Sequence, residues 1–100
     1  MNFSKLCEDF LQELSIVIEK KDINSNLETE YLDGILNIKI LKTSKVFVIN
    51  RNSGNQKIWY SSPFTGADYF AFDEVAKQWI NAKKIELTQK IMSELQEYFN

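Results

Sequence analysis

The apolar residues of this chain change period twice, from three-and-four to two and back again, and that change limits its fold more than any other feature. Phe3, Leu6, Cys7, Phe10, Leu11, Leu14, Val17 and Ile18 recur at spacings of three and four. At about 100° per residue they fall on one stripe of a helix. The spacing predicts an amphipathic helix over Phe3–Lys21, with Asn2 as N-cap because its side chain can accept a hydrogen bond from an unpaired first-turn amide. From Leu27 the period is two: Leu27, Thr29 and Tyr31 alternate with Glu28, Glu30 and Leu32. Asp33-Gly34 then provides a tight-turn pair, so the first two strands form a hairpin.

Further strands are expected at 35–42, 46–50, 57–62, 69–72 and 78–80. They are separated by polar turns such as 51–56, which contains no apolar residue. The helical period returns over 82–99, with Leu87, Ile91, Leu95 and either Tyr98 or Phe99 on the buried side and Lys83-Lys84 in a solvated first turn. Strand connections of two to six residues are too short for parallel crossovers. The expected fold is therefore α+β: a two-layer sandwich in which N- and C-terminal helices pack on one face of an antiparallel sheet of five to six strands. The other face is left in water. With 100 residues, 44% of them hydrophobic, residues 1–100 make one domain with one modest core and no large internal cavity.

Histidine is absent and there is one cysteine. Those counts exclude a Ser-His-Asp triad, a Cys-His nucleophile pair, a Cys/His zinc site and an internal disulfide. Cys7 falls on the buried stripe and reads as a small apolar filler. No apolar run reaches the roughly 18 residues of a membrane span, and no basic segment precedes an apolar one at the amino end. With Met1 directly before the first helix, the expected compartment is a bacterial cytoplasm, a processed mitochondrial form being the alternative.

Charge is unevenly spread. Residues 1–33 carry eight acids against three lysines, a local −5, whereas the remainder carries nine basic residues against six acids. Glu8, Asp9, Glu19 and Asp22 on the helix could join Glu28 and Glu30 on the first strand as one carboxylate surface. Two carboxylates about 6 Å apart repel by ~0.7 kcal/mol in water, so such clustering is stabilised by a cation or a basic partner. A solvated acidic face is the alternative. Oxygen ligands on a convex surface suit hard cations and hold them weakly. On the fourth strand Ile58 and Tyr60 read as core, which puts Trp59 on the open face as an interface anchor; inverted parity would bury it instead.

Residues 48–66 read VINRNSGNQKIWYSSPFTG. This run resembles the signature of the frataxin family, called CyaY in bacteria, at Val48, Ile49, Asn50, Arg51, Ile58, Trp59, Ser61, Ser62, Pro63 and Gly66. Gly34-Ile35-Leu36 and Trp79-Ile80 are similar to the family's second strand and last strand, so the resemblance covers essentially the whole chain. Departures include Gln12, Ile16 and Lys20, where relatives often carry acids, Lys57 in place of Gln, Tyr60 in place of Leu, and Gly54 in place of the turn proline.

The resemblance implies a non-catalytic accessory and regulator of iron–sulfur cluster assembly that acts on the cysteine desulfurase and scaffold protein. It implies weakly bound ferrous or ferric iron, no organic cofactor, and no nucleic acid or membrane partner. Glu8, Asp9, Glu19, Asp22, Glu28 and Glu30 are the metal-binding positions it implies, and Asn50, Arg51, Lys57 and Trp59 the partner-binding ones. A monomer is expected, with iron-linked oligomers as a variant. Two other readings are a ferroxidase or iron-storage protein and a metal-independent interaction module.

Overall fold

A computed structural model describes residues 2–100. Helix α1 spans Phe3–Lys21 and is followed by β1 (Leu27–Leu32), β2 (Ile35–Ile40), β3 (Val46–Asn52), β4 (Lys57–Ser62), β5 (Gly66–Asp73) and β6 (Gln78–Ile80). Helix α2 (Leu87–Leu95) and a short 3-10 turn (Gln96–Tyr98) complete the chain. Each strand pairs antiparallel with the next, in the order β1-β2-β3-β4-β5-β6. This is the expected sandwich, with six strands rather than five.

Local chemistry accounts for the boundaries of α1 and the first hairpin. Asn2 caps α1 by accepting the Lys5 N–H at 3.1 Å. At its other end the Asp22 carboxylate accepts the N–H groups of Asn26 and Leu27, at 2.8 and 3.0 Å, which turns the chain into β1. Asp33 and Gly34 hold φ of 52° and 80°, as a two-residue hairpin turn requires.

Several boundaries differ from the sequence reading, and β3 runs on to Asn52 where a turn is expected from Arg51. Strand β2 stops at Ile40 because Ile40 is joined to Lys45 and Ser44 across a tight turn in which Ser44 has φ 63°. Strand β5 starts at Gly66 and runs for eight residues, absorbing part of the expected loop. Helix α2 begins at Leu87, not near Ala82. The Asn81 side chain accepts from Lys83 and Ile85 N–H, and Glu86 caps the helix by accepting from Thr88 and Gln89. Lys83 and Lys84 therefore lie in the preceding loop, where Lys84 takes φ 65°, and not in a first helical turn.

The core forms between the layers. Phe3, Cys7, Leu11, Leu14 and Ile18 from α1 and Leu87, Ile91 and Leu95 from α2 meet Leu36, Ile38, Phe47, Ile49, Ile58, Tyr60 and Phe70 of the sheet. Trp79 is buried among Phe3, Phe10 and Phe72, with ring centroids 5.3 to 6.0 Å away. Helix α1 lies over β1–β3 and α2 reaches β6. Among the described residues no helix is long and apolar enough to cross a membrane.

Candidate functional site

Strand alternation sorts the sheet into two chemically different faces. Ile58 and Tyr60 are fully buried toward the helices, so Trp59 between them projects from the uncovered face, where it is partly buried by its neighbours. Register then fixes its neighbours. Leu32 pairs with Ile35, Ile35 with Asn50, Asn50 with Trp59, and Trp59 with Tyr69. These five side chains make one row across five strands, about 19 Å long at about 4.8 Å per strand. Leu32 is 70% exposed, Tyr69 40% and Ile35 39%, so the row is an uncovered apolar strip with a single carboxamide at its centre. Lys57 is two residues from Trp59 on the same face, exposed, and opposite Asn52.

A second row, Glu30, Asn37, Val48, Ser61 and Ala67, runs alongside, and a third places Glu28 opposite Lys39. Glu28 and Glu30 thus stand on the open face of the edge strand β1. Glu8, Asp9 and Glu19 are exposed on α1, which packs against that same strand. The acids are thus spread along the β1 border of the molecule, over both layers: Glu28 and Glu30 on the open face, Glu8, Asp9 and Glu19 on the helix layer.

That border is a diffuse field. Glu8 and Glu19 are eleven residues apart, hence on nearly the same side of α1 but about 16 Å apart along its axis. Asp9 pairs with Lys5 at 2.9 Å in solvent, and this partner raises the Lys5 pKa above its ordinary value. Both Asp22 oxygens are already used to cap the turn into β1. Among the described residues no group of three or more His, Cys, Asp or Glu side chains is placed to hold a metal ion. The exposed acids can attract a cation or a basic surface without enclosing either.

Arg51 is separated from the residues grouped with it in the sequence. It shares parity with Ile49, and Arg51 pairs with the buried Ile58, so its side chain projects to the helix side of the sheet. There it lines a cleft with Glu8, Gln12, Tyr31 and Gly34. Adjacent residues of a strand point to opposite faces, so Asn50 and Arg51 cannot serve one surface together.

One polar cluster went unread in the sequence. Glu94 on α2 has only 9% of its side chain exposed. It accepts hydrogen bonds from Tyr60 Oη at 3.0 Å, from Ser62 Oγ and from Thr65 Oγ1 at 3.1 Å, and Lys90 Nζ lies 3.3 Å away. Ser62 Oγ in turn accepts the N–H groups of Phe64 and Thr65. Burial, then the nearby Glu94 charge, holds the Tyr60 phenol far above its ordinary pKa. The cluster ties α2 to β4 and sets the 63–65 loop at one end of the open face. Buried hydroxyls at 60 and 62 need an acceptor, and that requirement is the signal that could have found Glu94.

Residues 1–100 match the family model described as the frataxin-like domain. A mitochondrial frataxin of Dictyostelium discoideum is 36% identical over 89 residues, covering 88% of this chain and 45% of that protein. A mitochondrial frataxin homolog of Drosophila melanogaster is 30% identical over 84 residues, covering 78% of this chain and 44% of that one. The chain thus spans less than half the length of these curated relatives. A trimeric frataxin from the yeast Saccharomyces cerevisiae, crystallised in a ferrous complex, superimposes with a TM-score of 0.77 at 22% identity over 94% of this chain and 85% of the other. A frataxin from Psychromonas ingrahamii, described within the CyaY protein family, gives 0.71 at 16% identity over 97% and 91%. Both share the fold.

Proposed function

This chain belongs to the frataxin family, and from that premise we propose that it serves iron–sulfur cluster assembly by docking on the cysteine desulfurase and its scaffold while holding ferrous iron weakly. The observation that carries the proposal is the continuity of two surfaces. An uncovered row that includes Trp59 ends at β1, the edge strand that carries Glu28 and Glu30 and packs against the helix bearing Glu8, Asp9 and Glu19. Aromatic side chains on an open face supply packed anchors, and exposed charges at a border steer the encounter. Asn50 and Lys57 join Trp59 in the docking face; Arg51, on the helix side of the sheet, lies outside it.

The acidic border supports attraction of a hard cation, in keeping with the ferrous complex of the yeast relative. Scattered carboxylates predict loose, exchangeable binding, with iron as cargo. The absence of a three-acid cluster among the described residues favours a second reading, a docking module that works without metal. Isothermal titration of ferrous ion under anaerobic conditions separates the two: heat and a raised melting temperature support iron carriage, and neither supports the metal-free module.

The working form is proposed to be a monomer in a bacterial cytoplasm. The yeast relative is described as trimeric in two structures and three curated relatives as mitochondrial, so sedimentation with and without ferrous ion, and fractionation of source cells, are the direct checks. A pull-down with the source organism's desulfurase and scaffold tests the main reading.

A further inference from the structure

Arg51 and Glu8 line one cleft without pairing. The cleft lies between α1 and the β1–β2 hairpin, holds about 320 Å³, and is walled by Glu8, Gln12, Tyr31, Asp33, Gly34 and Arg51. Among the described residues the ion pairs within 4.0 Å are Lys5–Asp9 and Lys90–Glu94, so Arg51 has no carboxylate partner. No buried side-chain nitrogen lacks a hydrogen-bond partner there, so the unpaired guanidinium donors reach the water of the cleft.

Gly34 has no Cβ at the point where one would come 2.9 Å from Arg51 Cζ, and this lets the arginine seat against the hairpin turn. A planar fork of N–H donors on this floor matches a carboxylate. Glu8 and Asp33 in the same walls match an ammonium.

The charges of the cleft narrow its occupant. A divalent cation would sit beside a guanidinium charge, and a simple carboxylate or phosphate would sit beside two acidic side chains; each arrangement carries a repulsive contact. A ligand bearing both charges a few ångströms apart satisfies both walls. The volume lies at the low end of small-molecule clefts, about 300 Å³ and upward. The Tyr31 hydroxyl and Gln12 carboxamide remain for neutral hydrogen bonds.

We propose that this cleft binds a small free α-amino acid as its zwitterion, the carboxylate on Arg51 and the ammonium on Glu8, with Asp33 as an added acceptor. The proposal needs no metal, and because it shares Glu8 with the acidic border its test is run without iron or partner.

The test is a metal-free NMR titration of the isotopically labelled protein with glycine and L-alanine, with acetate and methylammonium as half-ligands. Saturable shifts at the Gln12, Tyr31 and Gly34 amides are expected with both amino acids, at a Kd of about 1 mM. Each half-ligand should bind at least about tenfold more weakly, as should either amino acid to Glu8→Gln or Arg51→Gln, whose dispersed spectra report folding. Acetate matching L-alanine would overturn the proposal, as would the absence of saturable shifts. So would a double-mutant cycle without ligand in which Glu8 and Arg51 prove coupled, because they would then be partners of each other.

Discussion

Arg51 lies so close to Gly34 that a β-carbon on the glycine would stand 2.9 Å from the guanidinium carbon. Gly34 also holds φ 80° in the hairpin turn, a conformation that costs an L side chain about 1 kcal/mol or more. Gly34→Ala should therefore destabilise the protein by about 1–2 kcal/mol in urea unfolding. The arginine atoms in the way are the far end of a flexible side chain that can move aside, so the same substitution in an Arg51→Ala background should cost nearly as much. Equal costs in both backgrounds would assign the whole effect to the backbone.

Glu94 is the acceptor on which the α2 anchorage depends. Glu94→Ala leaves the Tyr60 and Ser62 hydroxyl protons without their acceptor in the interior and should cost about 2–3 kcal/mol. Tyr60→Phe removes one donor and leaves Glu94 its other partners, so about 1 kcal/mol is expected. Hydrogen exchange should show the loss in α2 and around residues 62–65 first, since those are the segments the carboxylate joins.

The family resemblance counts Asp22 among the metal-binding acids. Its two oxygens close the turn into β1, so Asp22→Ala should cost about 1–2 kcal/mol and leave cation affinity nearly unchanged. Replacing Glu28 and Glu30 by Gln should do the reverse: stability without cation holds or rises slightly, and the stabilisation gained on adding ferrous ion shrinks. Thermal melts with and without the ion read both effects.

Cys7 is fully buried, and burial pushes its thiol from 9.0 up to about 11, against a small opposing effect of the Arg51 charge. A raised folded-state pKa on a group that is neutral when protonated gives stability that is complete below pH 9 and disappears as pH rises through about 11. The contribution is about 2–3 kcal/mol. Cys7→Val should flatten that alkaline limb of the unfolding profile. Thiol reagents should label the native protein only as fast as it opens.

The strands and the hairpin were legible because their signals are local. Alternation at 27–32 and the Asp33-Gly34 pair fix the first hairpin, and the same parity places Trp59 opposite Ile58 and Tyr60. The start of α2 was not legible. Ala82, Lys83 and Lys84 favour helix on propensity, but the Asn81 side chain captures the nearby amides and delays the helix to Leu87. Arg51 was a different failure. The family resemblance joins it to Asn50 as a neighbour in sequence, although strand alternation puts the two on opposite faces. Glu94 meets Tyr60 and Ser62 across 34 and 32 positions, and no short-range pattern encodes such a meeting.

Desulfurase docking through the open face is the central claim, and surface plasmon resonance on the desulfurase–scaffold complex tests it at two salt concentrations. Trp59→Ala should mainly speed dissociation, weakening binding by about 30-fold, roughly 2 kcal/mol, with its salt dependence kept. Replacing Glu8, Asp9 and Glu19 by Lys should mainly slow association and flatten that dependence. Unchanged kinetics in both sets of variants would contradict the account, because the aromatic row and the acidic border would then take no part in docking.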